Sequence, residues 1–367
     1  MKVTNTPKYN KYWRIASWAT PIGFAIFIYT ISFFSVLIEE FYSIHIYTQI
    51  SELQRFITQF IPFSIGDIGY GILLLYSIIY VIIFLINLFK KKISWQKVGI
   101  SCLKIIKVIL WVYIIFNVIW GLNYSRLGIS HQLKLTNSQY STQELQDVTC
   151  DILDKLNASR LALGDSNYQY PSNKIIYQQA FTAYQNANKT FSFLNYQYFS
   201  VKSSLLSSMV SYAGYSGYYN PFSGEAQLNT DLPKFITPFV ACHEMAHQLG
   251  YASESEANFV GYLTAINSNN SLFVYAAYFD IFLSANGELF ERDFYSAYLN
   301  LKQLNSLSKR DRKTYREYVI GKQNNMQPVM SKIYDQYLKA NQQKSGIKSY
   351  NEVIGWLIAF KKKYGTI

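Results

Sequence analysis

Three long apolar runs dominate the first third of the chain. Between Arg14 and Glu39 lie 24 uncharged residues, between Asp67 and Lys90 lie 22, and between Lys107 and Arg126 lie 18. A bilayer core takes roughly 20 apolar residues of helix, so all three runs predict membrane-spanning helices. The third is the shortest, but it extends backward toward Val98, because the stems of Lys104 and Lys107 can carry their charges to the interface. For any one run the competing reading is a buried core helix. The first run is longer than the apolar part of a signal peptide and ends in no small-x-small cleavage site, so it reads as a retained helix.

The connection between the first two runs follows another rule. Ile46, Ile50, Leu53, Ile57 and Phe60 recur at spacings of three and four beside Glu52, Gln54 and Gln59, and Pro62 ends the pattern. This predicts an amphipathic helix over 46–61, lying at the outer membrane surface or packed on an outer domain.

Beyond Arg126 the pattern is that of a folded domain. Ser141 and Glu144 form a capping box ahead of one apolar face, Leu145, Val148, Ile152 and Leu156. A second helix is predicted over 174–186. The stretch GYSGYYNPFSGEAQLN (214–229) has three glycines, a proline and no helical period, and its end, 225–229, predicts a short strand. A helix then follows, with Thr237 as N-cap, Pro238 at its first position and Gly250 as the left-handed residue that ends it. Ser253 predicts a further helix start, with Glu256 as its capping-box partner.

Half the residues are apolar and only 15% are charged, a low share for a soluble protein, as spanning helices require. The formal charge of +12 first suggests a nucleic-acid partner, but its placement argues against one. Lys2, Lys8, Lys11 and Arg14 precede the first span without an acid, and Lys90, Lys91, Lys92, Lys97, Lys104 and Lys107 follow the second likewise. The loop from Glu39 to Asp67 carries four acids and the single base Arg55. By the positive-inside rule the N-terminus and the second loop are cytoplasmic, and everything after Arg126 lies outside the cytoplasm. Cys102, Cys150 and Cys242 imply no disulfide framework, and Cys242 reads as a small packed residue.

Candidate chemistry concentrates in HEMAHQLGYASESEANF (243–259). At the chain's own frequencies, 4 His and 22 Asp plus Glu in 367 residues, an HExxH pattern arises by chance in at most about three chains per thousand. Residues four apart share a helical face, so His243 and His247 can present two imidazoles to one ion, with Glu244 near enough to reach a water on it. Zinc needs a third protein ligand, which either Glu254 or Glu256 can supply, and Asn258 lies four residues after Glu254 on the same face. Tyr218, Tyr219, Tyr275 and Tyr278 are candidate oxyanion stabilisers, though in a chain of 33 tyrosines packing explains any one of them. His45 stands alone, without ligand spacing.

HEMAH followed by ESEAN resembles the zincin metallopeptidases whose third ligand is a glutamate. That resemblance implies Zn2+ held by His243, His247 and Glu254, with Glu244 as the base and Asn258 in the polar supporting position. Ser253 stands where metzincins carry their third ligand, so the chain departs from that pattern. A longer resemblance is to an uncharacterised bacterial membrane family, domain of unknown function 3810, carried by GYYNPFSGEAQLN (217–229), HEMAHQLGYASESEAN (243–258) and YDQYLKANQQKSGIKSYNEV (334–353).

The expected fold is an α-helical membrane region of three transmembrane helices (1–125) followed by a mainly α, α+β zincin-like metallopeptidase domain (126–367) outside the cytoplasm. The expected function is a membrane-anchored zinc metallopeptidase acting on a peptide or protein substrate. From the zincin resemblance, the GEAQLN strand is expected to pair with substrate along its edge. Two other classes compete: a catalytically silent zincin fold serving as a sensor or binding module, and a structural or transport protein with a coincidental HExxH. Segment 234–260 is too polar for an intramembrane protease. The oligomeric state and the substrate are not written in the sequence.

Overall fold

The computed structural model describes residues 9–90, 94–136, 139–343 and 352–367, the first eight of these (9–16) by backbone alone. Lys2, Lys8, Lys91 and Lys92, the side chains of Lys11 and Arg14, and residues 344–351 of the C-terminal stretch lie outside the described residues.

Helix α1 (Tyr9–Ile31) is followed, after a break at Ser32–Phe34, by α2 (Ser35–Leu37), a π-helical segment (Ile38–Ile46) and α3 (Tyr47–Thr58). The two arms meet at 99°. This corrects the single helix expected for the first apolar run, which stops at Ile31. The second arm turns away because its polar groups find partners in the body of the protein: Glu39 pairs with Arg126 at 2.8 Å and Ser43 donates to Asn123. Helices α4 (Ile65–Phe89) and α5 (Trp95–Ile119), 25 residues each, are long and apolar enough to cross a membrane, and the bent pair adds a third if it counts as one span. The backward extension of the third run thus appears in α5, with Lys107 reaching over the Trp18 ring. Its last residues instead form a buried 3-10 turn, Gly121–Ser125.

The amphipathic helix expected over 46–61 forms as α3 (Tyr47–Thr58), and of the two expected settings its apolar stripe takes the one that faces away from the body. Its polar stripe, Tyr47, Ser51, Arg55 and Thr58, is buried, whereas the predicted apolar stripe faces outward, Leu53 being 60% and Phe60 72% exposed. The polar stripe packs on the body, and the apolar face is left exposed.

The body begins with α6 (Gly128–Gln132), α7 (Thr142–Ala162) and α8 (Asn173–Asn188). The Ser141–Glu144 capping box is formed as expected. Leu145, Val148, Ile152 and Leu156 are all buried in the core, each contributing roughly 1.5–3 kcal/mol. Next come β1 (Val201–Ser203), α9 (Ser207–Ala213), β2 (Gly217–Asn220) and β3 (Glu225–Leu228). The strands form one sheet in the order β1-β3-β2, with β1 parallel and β2 antiparallel to β3. The remaining elements are α10 (Thr237–Gln248), α11 (Glu254–Ile266), α12 (Ser271–Arg292), α13 (Phe294–Gln303), α14 (Ser306–Lys322), α15 (Gln327–Ala340) and α16 (Glu352–Tyr364).

Helix α10 is the central element, packed on β2 and β3 and on α8, α11 and α12. Every residue of it except His243 is buried, as befits a helix without a polar face. It starts at Thr237 with Ile236 as N-cap, one residue earlier than expected. Gly250 ends it as expected, at φ +86°. The Gly250 N–H donates to His247 O and the Tyr251 N–H to Ala246 O, the paired bonds of a Schellman turn.

Candidate metal centre

The Schellman turn reverses the chain so that α11 runs back along α10. Gly261 lets the two backbones close up: a Cβ there would stand 3.1 Å from the His243 nitrogen. Glu254, the first residue of α11, thereby meets the two histidines. His243 Nε2 and His247 Nε2 are 3.1 Å apart, and Glu254 Oε2 lies 3.2 Å from the first and 3.7 Å from the second. Among the described residues these three form the one group able to hold a metal ion. Ligands at about 2.0–2.1 Å around a tetrahedral ion stand about 3.3 Å from each other, so the three edges fit. His247 Nδ1 lies 2.7 Å from Tyr251 O; a carbonyl accepts only, so Nδ1 carries the hydrogen and Nε2 turns its lone pair to the cluster.

Electrostatics follow from burial and crowding. Burial would raise Glu254, but the two imidazoles outweigh it and hold the carboxyl well below the usual range. Burial alone would lower His243; its hydrogen bond to Glu254 and the charges of Glu244, Glu254 and Asp280 raise it to about 9. Glu244 is pushed up to about 7 by burial, against the pull of both histidines. Its Oε2 has no hydrogen-bond partner, nor has His243 Nδ1. A buried acceptor left without a donor is costly, and Glu244 lines the same cavity as the cluster.

The structure divides the two candidate glutamates. Glu256 accepts the Ile129 N–H at 2.8 Å and its carboxylate sits against Gly128, outside the cluster. The expected capping box at Ser253 does not form, because Ser253 Oγ pairs with Ser255 Oγ instead. Asn258 lines the same cavity as the cluster without a hydrogen bond to it. The hydroxyl that does reach a cluster carboxylate is Tyr334 on α15, which donates to Glu254 Oε1.

Two of the four candidate tyrosines lie elsewhere. Tyr275 donates to Asp311 and Tyr278 to the carbonyl of Ile367, so both are structural. Tyr218 and Tyr219 line the cavity, the first bonded to Asp67 and the second to Tyr47. The GEAQLN strand also needs correction: β3 is central and both its edges are taken, so it has none to offer a substrate. The edge strands are β1 and β2, and β2 is the one at the site: a Cβ on its Gly217 would stand 2.7 Å from Glu244 Oε1.

A family model described as "Protein of unknown function (DUF3810)" matches residues 42–358, which include the whole cluster. The chain belongs to the DUF3810 family. No curated protein and no solved structure matches it. Within this DUF3810 chain, two cavity residues escape a reading by motif. Tyr334 is the first residue of the third stretch quoted above, YDQYLKAN, and position in that stretch was the available signal. Asp280, raised to about 6 by burial with His243 opposing, closes the apolar run SLFVYAAYFD; a lone acid in such a run is itself a signal.

Proposed function

We propose that the chain is a membrane-anchored zinc peptidase of zincin-like architecture, acting on peptide bonds outside the cytoplasm. The observation that carries this reading is the meeting of His243, His247 and Glu254 in one wall of a large cavity, with the unpartnered carboxylate of Glu244 in the same wall. The donor set of two imidazoles and one carboxylate suits zinc in a hydrolytic site, where three protein ligands leave one position open. When bound, zinc supplies Lewis acidity to a water and to a peptide carbonyl. Glu244, poised near neutrality, takes a proton at its free Oε2 and returns it to the departing amine. Tyr334 holds Glu254 in place with its hydroxyl, whose single hydrogen is committed to that carboxylate. The free edge of β2 suits main-chain pairing with an extended peptide.

The span count and the asymmetric lysines support an N-terminus in the cytoplasm and a body outside it, with α1 as the third crossing. The test uses the purified full chain loaded with zinc. Glu244→Gln is expected to fold, keep its metal and lose peptide cleavage by at least about 100-fold, the usual scale for a general base. His243→Ala is expected to lose the metal as well. A zinc-loaded wild type inactive on a broad peptide library would favour the silent sensor, and a chain that holds no metal would favour the coincidental motif.

A further inference from the structure

We infer that the substrate is itself a polypeptide anchored in the bilayer, which reaches the cluster sideways through the gap between α4 and α5. This rests on the peptidase reading and names the substrate class of that site. The cavity measures about 1770 Å³, well above the roughly 300–1,000 Å³ of small-molecule pockets. At one end its wall holds His243, Glu244, His247 and Glu254; at the other it holds Ile109, Val112, Tyr113 and Phe116. Those four residues, spaced i, i+3, i+4, i+7, form one face of α5.

From Trp120, beside the cluster, down to Ile109 is 11 residues of chain, about 16 Å at 1.5 Å per residue. That is roughly half of a 30 Å hydrocarbon core. A cleft shaped for a water-borne peptide has no use for a wall that continues down a membrane helix.

The gap is open to the side. Helix α5 packs along α1, whereas the membrane-spanning window of α4 has no buried residue. Ile109 is 61% and Val112 48% exposed, so the face that lines the cavity has no protein neighbour to fill it. Tyr70, in the second turn of α4, stands in the opposite wall, and Met209 and Met330 line the mouth. Methionine adapts to apolar side chains of differing shape. A lipid chain would satisfy the same apolar wall, but the free β2 edge, with Gly217 against Glu244, offers backbone pairing that only a polypeptide can answer.

The test has two arms with separate failures. The probe is a randomised juxtamembrane segment joined to an anchor helix of about 20 leucines and alanines, compared with the same segment lacking the anchor. In the first arm, zinc-loaded wild type in phosphatidylcholine vesicles is expected to cleave the anchored probe at least about tenfold faster, since tethering raises local concentration. In the second arm, full-length Glu244→Gln carries a photo-crosslinker at Val112 or at Leu103, which lies on the opposite face of α5. The anchored probe is expected to be captured at least about tenfold more from Val112, by the same concentrating effect.

Equal cleavage of both probes overturns the inference and leaves the peptidase reading standing. So does capture from Val112 no better than from Leu103, or capture of phospholipid in place of the probe. Selective capture of the anchored probe from Val112 with no cleavage of either probe by the wild type sinks the peptidase reading while supporting the route.

Discussion

Glu254 and Glu256 stand two residues apart in the first turn of α11 and have opposite surroundings. The first faces two imidazoles, and the second accepts a backbone N–H from the turn at Gly128 and Ile129. Glu254→Ala is therefore expected to abolish stable metal retention, measured as metal content of the purified chain. Glu256→Ala should keep the metal and lose about 1 kcal/mol of stability with its hydrogen bond; the reverse pattern would exchange their roles. Gly217 makes a subtler demand. Its φ is an ordinary one, yet a Cβ would stand 2.7 Å from Glu244 Oε1 and 2.9 Å from Gln227 O. Gly217→Ala should displace the carboxylate and slow cleavage by roughly 10- to 100-fold with metal content unchanged, the effect expected of a small misplacement. A Gly217→Ala chain as active as wild type would mean that Glu244 does not need its present position.

At the scale of elements, the C-terminal end of α10 explains why the polar stripe of α3 faces the body. A helix end leaves carbonyls without partners, and those of α10 are buried. Ser51 Oγ, Tyr47 Oη and Arg55 Nη1 all donate to Gln248 O, at 2.6, 3.0 and 3.0 Å. Trp120 Nε1 donates to His247 O, and Arg126 reaches the carbonyls of Leu249 and Gly250. Two guanidinium groups at this end also suit the negative pole of the helix dipole. The arm formed by α3 is thus fastened to the helix that carries both histidines. Glu225 of β3 does the same for α4, accepting the N–H groups of Ile65 and Gly66 at its first turn. Gly250 is the joint of the arrangement. Alanine there would hold a left-handed φ of +86° and bring a Cβ within 2.8 Å of the Tyr47 ring. Gly250→Ala is expected to cost at least about 1–2 kcal/mol and to weaken metal binding, because the Tyr251 carbonyl that orients His247 follows directly. A lowered melting temperature with unaltered metal affinity would separate the turn from the site.

For the whole molecule the question is which side of the membrane holds the cluster. A reporter active only outside the cytoplasm should work when fused after residue 130 and fail when fused near Lys92, given the lysines that flank the second loop. Activity near Lys92 alone would invert the topology and, with it, the compartment of any substrate. The cavity joins the apolar face of α5 to the polar cluster, so the membrane helices and the body act as one unit around it.

What the sequence determined by itself was whatever short-range periodicity encodes. Apolar runs of bilayer length announced α4 and α5, the spacing of four put His243 and His247 on one face, and Gly250 marked the turn that ends α10, since left-handed backbone favours glycine. The resemblance in HEMAH and ESEAN implied Glu254, and the local pattern also favoured it, since Glu256 could be explained as a cap, yet Glu256 stayed eligible because both sit in one helical turn. Only the docking of the turn at Gly128 and Ile129, more than a hundred residues earlier in the chain, took Glu256 out of the cluster. The same holds for α3, whose stripe was legible while the direction it faces was not. A hydrophobic pattern says which side of a helix is apolar, and the neighbours decide which side is buried. Tyr334 reaches Glu254 across 80 residues of chain, and β3 became a central strand because β1 pairs with it from the far side. Such contacts depend on where distant segments pack, and no periodicity within one segment records that.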